Sequence, residues 1–389
     1  MHFRALRGLH RRRKNPHLQI YGARDPLRHA RNRPRRDGLR LAVAQSAGER
    51  VEARAQIPVG KGSRAKAVVA LGIFRRRKIR KFRREKIKPM RTVQEGFRWA
   101  PFEKLEGIYF EEKDFRETLD GGQAFTWREL DASPLGFAAA YEGVFRSTAL
   151  RAALDGRGSV HICAPSDAPE GAAGNFLEYI DAKTDYAPIR ETLLKTGDAN
   201  IAKALKIWPT LRILRQSPAE AIVCFICSSS KRIVQIKQCV ALLSEKLGGY
   251  AGGGRRAVPS FEAIAAAPME TLRECKLGFR AGYLKKSAEK IVSDGFDPDS
   301  LREIPYAEAK KYLTSLSGIG DKVADCILLF GASRFEAFPV DTWIKQAMTA
   351  LYSTPPNAGK IREFAAERFG GYAGFAQQLI FAAIRKNLF

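Results

Sequence analysis

Leu316-Ser317-Gly318-Ile319-Gly320-Asp321-Lys322-Val323-Ala324-Asp325-Cys326, closed by Pro339-Val340-Asp341, is the stretch on which the reading of this chain turns. The spacing predicts a helix through Ala307–Ser315, a tight hairpin over Leu316–Gly320, and a second helix from Asp321 to about Phe330. A short loop then reaches Pro339-Val340-Asp341, where a third helix begins. Gly318 and Gly320 allow a turn whose backbone N–H groups point outward at a helix N-terminus. Such donors suit a DNA phosphate and read no base. A lone Gly-x-Gly carries little information; followed by a lysine, and about twenty residues later by Val-Asp, it carries much more.

Lys322 sits awkwardly for a structural lysine. The helix macrodipole places partial positive charge at a helix start, which disfavours the ammonium and is expected to lower its pKa. An ordinary lysine is almost wholly protonated at neutral pH, whereas a desolvated one at such a site is a usable nucleophile. Asp341 precedes Thr342-Trp343-Ile344 and suits an N-cap. The dipole there favours its ionised form, and an anion beside a sugar C1′ stabilises oxocarbenium-like charge. Capping and catalysis are compatible roles for it. Pro339 holds the residue before it extended.

Around this element the chain divides by composition. The 389 residues carry a formal net charge of +26, yet residues 1–90 hold 28 Lys and Arg against 5 Asp and Glu, leaving 39 against 36 downstream. Residues 1–89 form a basic leader, expected to be disordered, with clusters at Arg11–Lys14, Arg31–Arg36 and Arg75–Arg84. Three readings of it stand: a phosphate-gripping arm, a cleaved targeting peptide, or a start set too early, the true one being Met90.

Four of the five histidines lie in the leader, and His161 alone follows. A histidine triad or zinc site is thereby excluded from the folded part. Cys224 and Cys227 form a Cys-x-x-Cys inside the apolar run Ala221–Cys227 and read as buried side chains. No run approaches the length of a membrane span.

Residues 90–186 read as a β-rich domain, with short aromatic and β-branched runs at Tyr109–Phe110, Phe125–Trp127 and Val160–Cys163 between turns at Asp120–Gly122 and Asp155–Gly158. Residues 187–389 read as helical: Ile189, Leu193 and Leu194 fit one helix face, and Ile201, Leu205 and Ile207 another. The expected class is α+β, an antiparallel sheet domain followed by an all-helical one.

These residues resemble the helix-hairpin-helix (HhH-GPD) glycosylase superfamily, and within it the 8-oxoguanine DNA glycosylase/lyases, from about Gly96 to Arg385. The resemblance implies a TATA-binding-protein-like sheet domain ahead of the helical one. It also implies that Lys322 attacks C1′, expels the base and forms a Schiff base, after which β-elimination cuts the strand, with Asp341 assisting. Gly122 matches the glycine whose carbonyl accepts the N7 hydrogen that guanine lacks. Cys326 and Phe381 match the residues that sandwich the flipped base, and Gln377 the one reading its Watson–Crick edge. Arg280 matches an arginine directed at the opposite base, and Phe279 stands where relatives carry a wedge Tyr; its apolar face serves the same unstacking. Ser230-Lys231-Arg232 replaces an Asn triplet and puts the preference for cytosine opposite the lesion in doubt. Trp343 replaces a His that follows the aspartate.

No metal or organic cofactor is implied, and the four-cysteine cluster of the endonuclease III branch is missing, the last cysteine being Cys326. The expected partner is double-stranded DNA bearing an oxidised purine, met by a monomer inside the cell: nucleoid, nucleus or organelle. Two alternatives stand beside this reading. One is a non-catalytic nucleic-acid-binding hairpin module; the other is a lyase acting mainly on abasic sites or on another purine lesion.

Overall fold

The computed structural model describes residues 96–389; the basic leader and its three readings lie outside the described residues. Five strands, β1 (Glu103–Tyr109), β2 (Arg128–Glu129), β3 (Ala139–Phe145), β4 (Thr148–Leu154) and β5 (Ser159–Cys163), form an antiparallel sheet in the order β1-β5-β4-β3-β2. The β3–β4 hairpin turns on only Arg146 and Ser147, both at positive φ (45° and 61°). Two such residues give the turn whose twist matches the flanking strands.

The β-rich stretch also contains helices, Glu112–Asp120 and Ala172–Tyr179. Their apolar residues Phe115, Leu119, Phe176 and Tyr179 join Tyr141, Phe145, Leu150 and Trp127 in the sheet's core. The opposite face of β3 and β4 is covered at Val144 and Ala149 by a glycine-rich hairpin, β6 (Tyr250–Gly252) and β7 (Arg255–Arg256). This pair interrupts a region expected to be helical throughout.

Phe125–Trp127, expected as a strand, is a loop. Alternation there points not to two faces of one sheet but to two cores. Phe125 packs edge-on against Phe225 among the helices, at 5.4 Å between centroids, while Trp127 stacks on Phe145 in the sheet's core at 6.1 Å. From Ala187 on, helices dominate. Ile189 and Leu193 are buried as expected, but Leu194 is exposed, its neighbour Leu193 alone filling that face. Ile201 and Leu205 are buried, and Asp198 caps their helix by accepting from Ile201 N at 2.9 Å.

Cys224 and Cys227 are buried in the helix Pro218–Ser228. Burial pushes both thiols up, the direction expected for inert core side chains. Among the described residues no helix is long and apolar enough to cross a membrane.

Candidate active site

The hairpin and its helices form where the sequence places them, as helices Tyr306–Ser315, Asp321–Phe330 and Thr342–Tyr352. Gly318 has φ +81°, and a Cβ there would fall 2.6 Å from the Tyr283 ring, so the turn needs glycine on both conformational and steric grounds. Gly320 is the N-cap of the next helix, which puts Lys322 in its first turn.

One flank of that helix is clamped by charge. Asp325 is fully buried and accepts from Lys310 Nζ and Tyr306 OH, each at 2.7 Å, with Arg362 at 3.7 Å. Arg362 also meets Asp321 at 3.0 Å. Burial pushes the Asp325 carboxyl up, and Lys310, Tyr306 and Arg362 oppose that shift. Removing one partner from a buried pair of this kind typically costs several kcal/mol, about 3–5. The helix therefore has little freedom to rotate, and Lys322 is held toward the neighbouring face.

Two cavities meet at Lys322 and Asp341. The first, about 380 Å³, is lined by Gly122, Cys326, Gln377 and Phe381 together with Phe225 and Phe330. The second, about 830 Å³ and more open, is lined by Ser230, Lys231, Arg232, Gly318, Gly320 and Trp343. Lys322 and Asp341 line both. A mainly apolar slot thus opens into a basin edged with cations and helix-start N–H groups, with the Lys322 amine and the Asp341 carboxylate at the junction.

Lys322 Nζ lies 5.8 Å from the centroid of the Phe225 ring. Burial pushes the Cys326 thiol up to about 11, with Lys322 acting against that shift. Asp341 is the N-cap of the helix Thr342–Tyr352, its Oδ1 accepting from Ile344 N at 2.8 Å. Gly122 has φ +105°, and a Cβ added to it would lie 3.1 Å from Ile233 Cδ1 and 4.0 Å from Phe381 Cε1. Gln377 is buried and its Oε1 has no hydrogen-bond partner among the described residues.

Of the remaining candidates, Lys231, Arg232 and Trp343 line the slot's mouth as well as the basin, and the others lie outside the slot. Lys231 Nζ donates to the Lys276 carbonyl at 3.1 Å and so braces the loop, whereas Arg232 is exposed. Ser230 takes a positive φ of 52°. Phe279 is 61% exposed. Arg280 is buried: it donates to the carbonyls of Ser229 and Leu277, and its guanidinium lies 4.2 Å from the Phe279 ring centroid. In this conformation it supports the Ser230 loop and the Phe279 ring rather than facing outward.

Sequence reasoning missed Phe225, Phe330, Gln378 and Arg385 as lining residues of the slot. Arg385 was within reach, since Gln377, Phe381 and Arg385 repeat every four residues along one face of the last helix. Arg385 is tied to the buried Glu117 of the sheet's first helix. Phe225 carried no local signal, being one apolar residue in a wholly apolar run.

Residues 223–370 match the model of the HhH-GPD superfamily base excision DNA repair proteins. The chain is 29% identical over 284 residues to the N-glycosylase/DNA lyase OGG1 of Arabidopsis thaliana, covering 68% of this chain and 76% of that one. It is also 29% identical to a probable N-glycosylase/DNA lyase of Methanothermobacter thermautotrophicus, covering 57% and 78%. Among solved structures, the Clostridium acetobutylicum 8-oxoguanine glycosylase/lyase, bound to double-stranded DNA containing cytosine opposite 8-oxoguanine, superposes with a TM-score of 0.65 at 32% identity. That match covers 75% of this chain and 99% of the other. With this coverage and identity, the sheet-plus-helices architecture and the hairpin element, the chain belongs to the 8-oxoguanine glycosylase/lyase family of the HhH-GPD superfamily.

Proposed function

We propose that the chain excises 8-oxoguanine from duplex DNA with Lys322 as nucleophile and then cuts the strand at the abasic sugar. The observation that carries this reading is the junction itself: the Lys322 amine and the Asp341 carboxylate, both shared by an apolar slot and an open cationic basin. A stacked nucleotide offers its C1′ to no side chain, so the base must leave the duplex. With the base in the slot and its phosphates in the basin, the sugar falls at the junction.

The amine, free of its proton, bonds to C1′ as the glycosidic bond breaks and its electron pair leaves with the base, which takes up a proton. Opening of the sugar gives the Schiff base. Loss of a C2′ proton then expels the 3′ phosphate, and water releases Lys322. The Asp341 carboxylate offsets the positive charge that builds on the sugar as the base departs. Cys326 and Phe381 flank the ring, Gln377 supplies an unpaired acceptor for its edge, and the Gly122 carbonyl accepts from N7–H. Guanine presents a lone pair at N7, so acceptor would meet acceptor.

Gly318 and Gly320 take backbone phosphates, Phe279 fills the gap in the stack, and the Ser230–Arg232 loop faces the opposite base, with Arg232 its exposed donor. The protein acts as a monomer on DNA inside the cell.

Borohydride reduction during incubation with an 8-oxoguanine duplex tests this. Wild type is expected to give a covalent protein–DNA band that Lys322→Gln abolishes. A band of equal strength from Lys322→Gln, or none from wild type, would overturn the assignment.

A further inference from the structure

The slot is assembled from parts far apart in sequence: the Gly122 loop after the sheet's first helix, and the helix Asp321–Phe330. Reading a base through one carbonyl requires that carbonyl to sit at a fixed place over the slot. A glycine at φ +105° supplies no stiffness of its own. Buried amides supply it instead.

Gln123, fully buried, donates its Nε2 to Arg212 O at 2.9 Å and accepts at Oε1 from Leu214 N at 3.0 Å. Its own backbone carbonyl accepts from Gln216 Nε2 at 2.7 Å. Gln216, 4% exposed, donates its backbone N–H to Phe330 O at 3.1 Å and accepts Arg302 Nη2 on its carbonyl at 2.8 Å. Phe330 is the last residue of the helix that carries Lys322 and Cys326. Gln216 thus ties the Gln123–Ala124 peptide by its side chain, and the nucleophile's helix by its backbone N–H.

We propose that Gln216 is a positioning residue for lesion recognition: through Gln123 it sets the orientation of the Gly122 carbonyl against the slot, without lining the slot itself. This rests on the reading that Gly122 discriminates the oxidised base. With the Nε2 donor gone, the Gln123–Ala124 peptide, next along the chain from the Gly122 carbonyl, keeps the Gln123 side-chain clasp but loses its tie to the helix. The carbonyl then samples orientations that no longer meet N7–H. Attack by Lys322 on a sugar that already lacks its base needs no such reading and is spared.

Gln216→Met, which keeps length and the backbone donor but lacks the amide, separates these effects. Single-turnover excision from an 8-oxoguanine duplex is expected to fall roughly tenfold, the scale of one well-placed hydrogen bond. Cleavage at a preformed abasic site should stay within about twofold of wild type, which also reports that the variant folds. In a Lys322→Gln background, Gln216→Met should shrink the ratio of affinities for 8-oxoguanine and guanine duplexes by a similar factor. Gln216→Glu, which sets an acceptor against the Gln123 carbonyl, should lose at least as much excision. Unimpaired excision, or equal loss on both substrates, overturns the role of Gln216. A wild type that excises no 8-oxoguanine overturns instead the reading of the site on which that role stands.

Discussion

On the proposed mechanism Asp341 carries two separable loads, and Asp341→Asn divides them. Its Oδ1 accepts from Ile344 N at 2.8 Å, and an asparagine carbonyl caps a helix about as well as a carboxylate. The stability change expected for Asn is therefore a few tenths of a kcal/mol, most of it from the lost charge–dipole attraction. Asp341→Ala removes the cap itself and should cost about 1 kcal/mol.

The chemical load is larger. Asp341 lines both cavities beside Lys322, so a carboxylate about 4 Å from a developing sugar cation, at an effective dielectric near 20, is worth about 4 kcal/mol. That corresponds to about three decades in rate, and side-chain relaxation will return part of it. Single-turnover excision by Asp341→Asn is thus expected to fall by two to three decades (about 2.7–4 kcal/mol), with the melting curve and the affinity for a duplex bearing a non-cleavable abasic analogue nearly unchanged. Ala should show the same rate loss plus the lost stability. An Asn variant that excises at the wild-type rate, or one whose DNA affinity falls in step with its rate, would refute the charge argument and leave capping alone.

Further outcomes follow from the same geometry. Gly122→Ala forces an L residue to φ +105° and sets its Cβ 3.1 Å from Ile233 Cδ1; backbone strain of about 1–3 kcal/mol should appear as a lower melting temperature or as a shifted loop. In either case 8-oxoguanine excision should drop more than abasic-site cleavage, as a two-substrate assay reads directly. Burial raises the Glu220 carboxyl to about 7 from its ordinary 4.5, against the pull of the Arg146 and Ser147 backbone donors it accepts from. A folded pKa above the unfolded one means that its contribution is complete below about 4.5 and is lost as pH rises through about 7. Urea midpoints of wild type should fall across that window, and Glu220→Gln should flatten the slope. Removing residues 1–89, which hold 28 basic and 5 acidic side chains, should flatten the salt dependence of duplex affinity while leaving turnover at saturation intact; unchanged salt dependence would show that this segment never meets the phosphates.

What could be read in advance, and what could not, follows from how local each signal is. The hairpin helices and the Asp341 cap were legible because glycine conformation, helix starts and capping are properties of a few consecutive residues. Phe125–Trp127 misled because period-two alternation reports two environments, and here these are two separate cores rather than two faces of a sheet. The β6–β7 hairpin was hidden in a run of glycines that carry no periodic signal. Arg280 shows a further limit. A match by position says which residue stands at a place in the fold, but not that its guanidinium lies against the Ser229 carbonyl.

On the proposed mechanism, discrimination at the slot and attack by Lys322 ask for different kinds of rigidity. Attack needs Lys322 held toward one face of its helix, and the Asp325 clamp with Lys310, Tyr306 and Arg362 supplies that from the adjacent flank. Discrimination needs the Gly122 carbonyl fixed relative to Cys326 and Phe381, which no contact within the helical region can do, since the loop belongs to the sheet side. Among the polar bridges that join the halves are Gln216, between Gln123 and Phe330, and Arg385, to the buried Glu117. Neither bridge touches Lys322. Loosening a bridge should therefore blur base choice while chemistry at an abasic sugar survives, whereas loosening the Asp325 clamp should slow both reactions together. An Asp325→Asn variant that lost excision alone, with abasic cleavage intact, would break that division of labour.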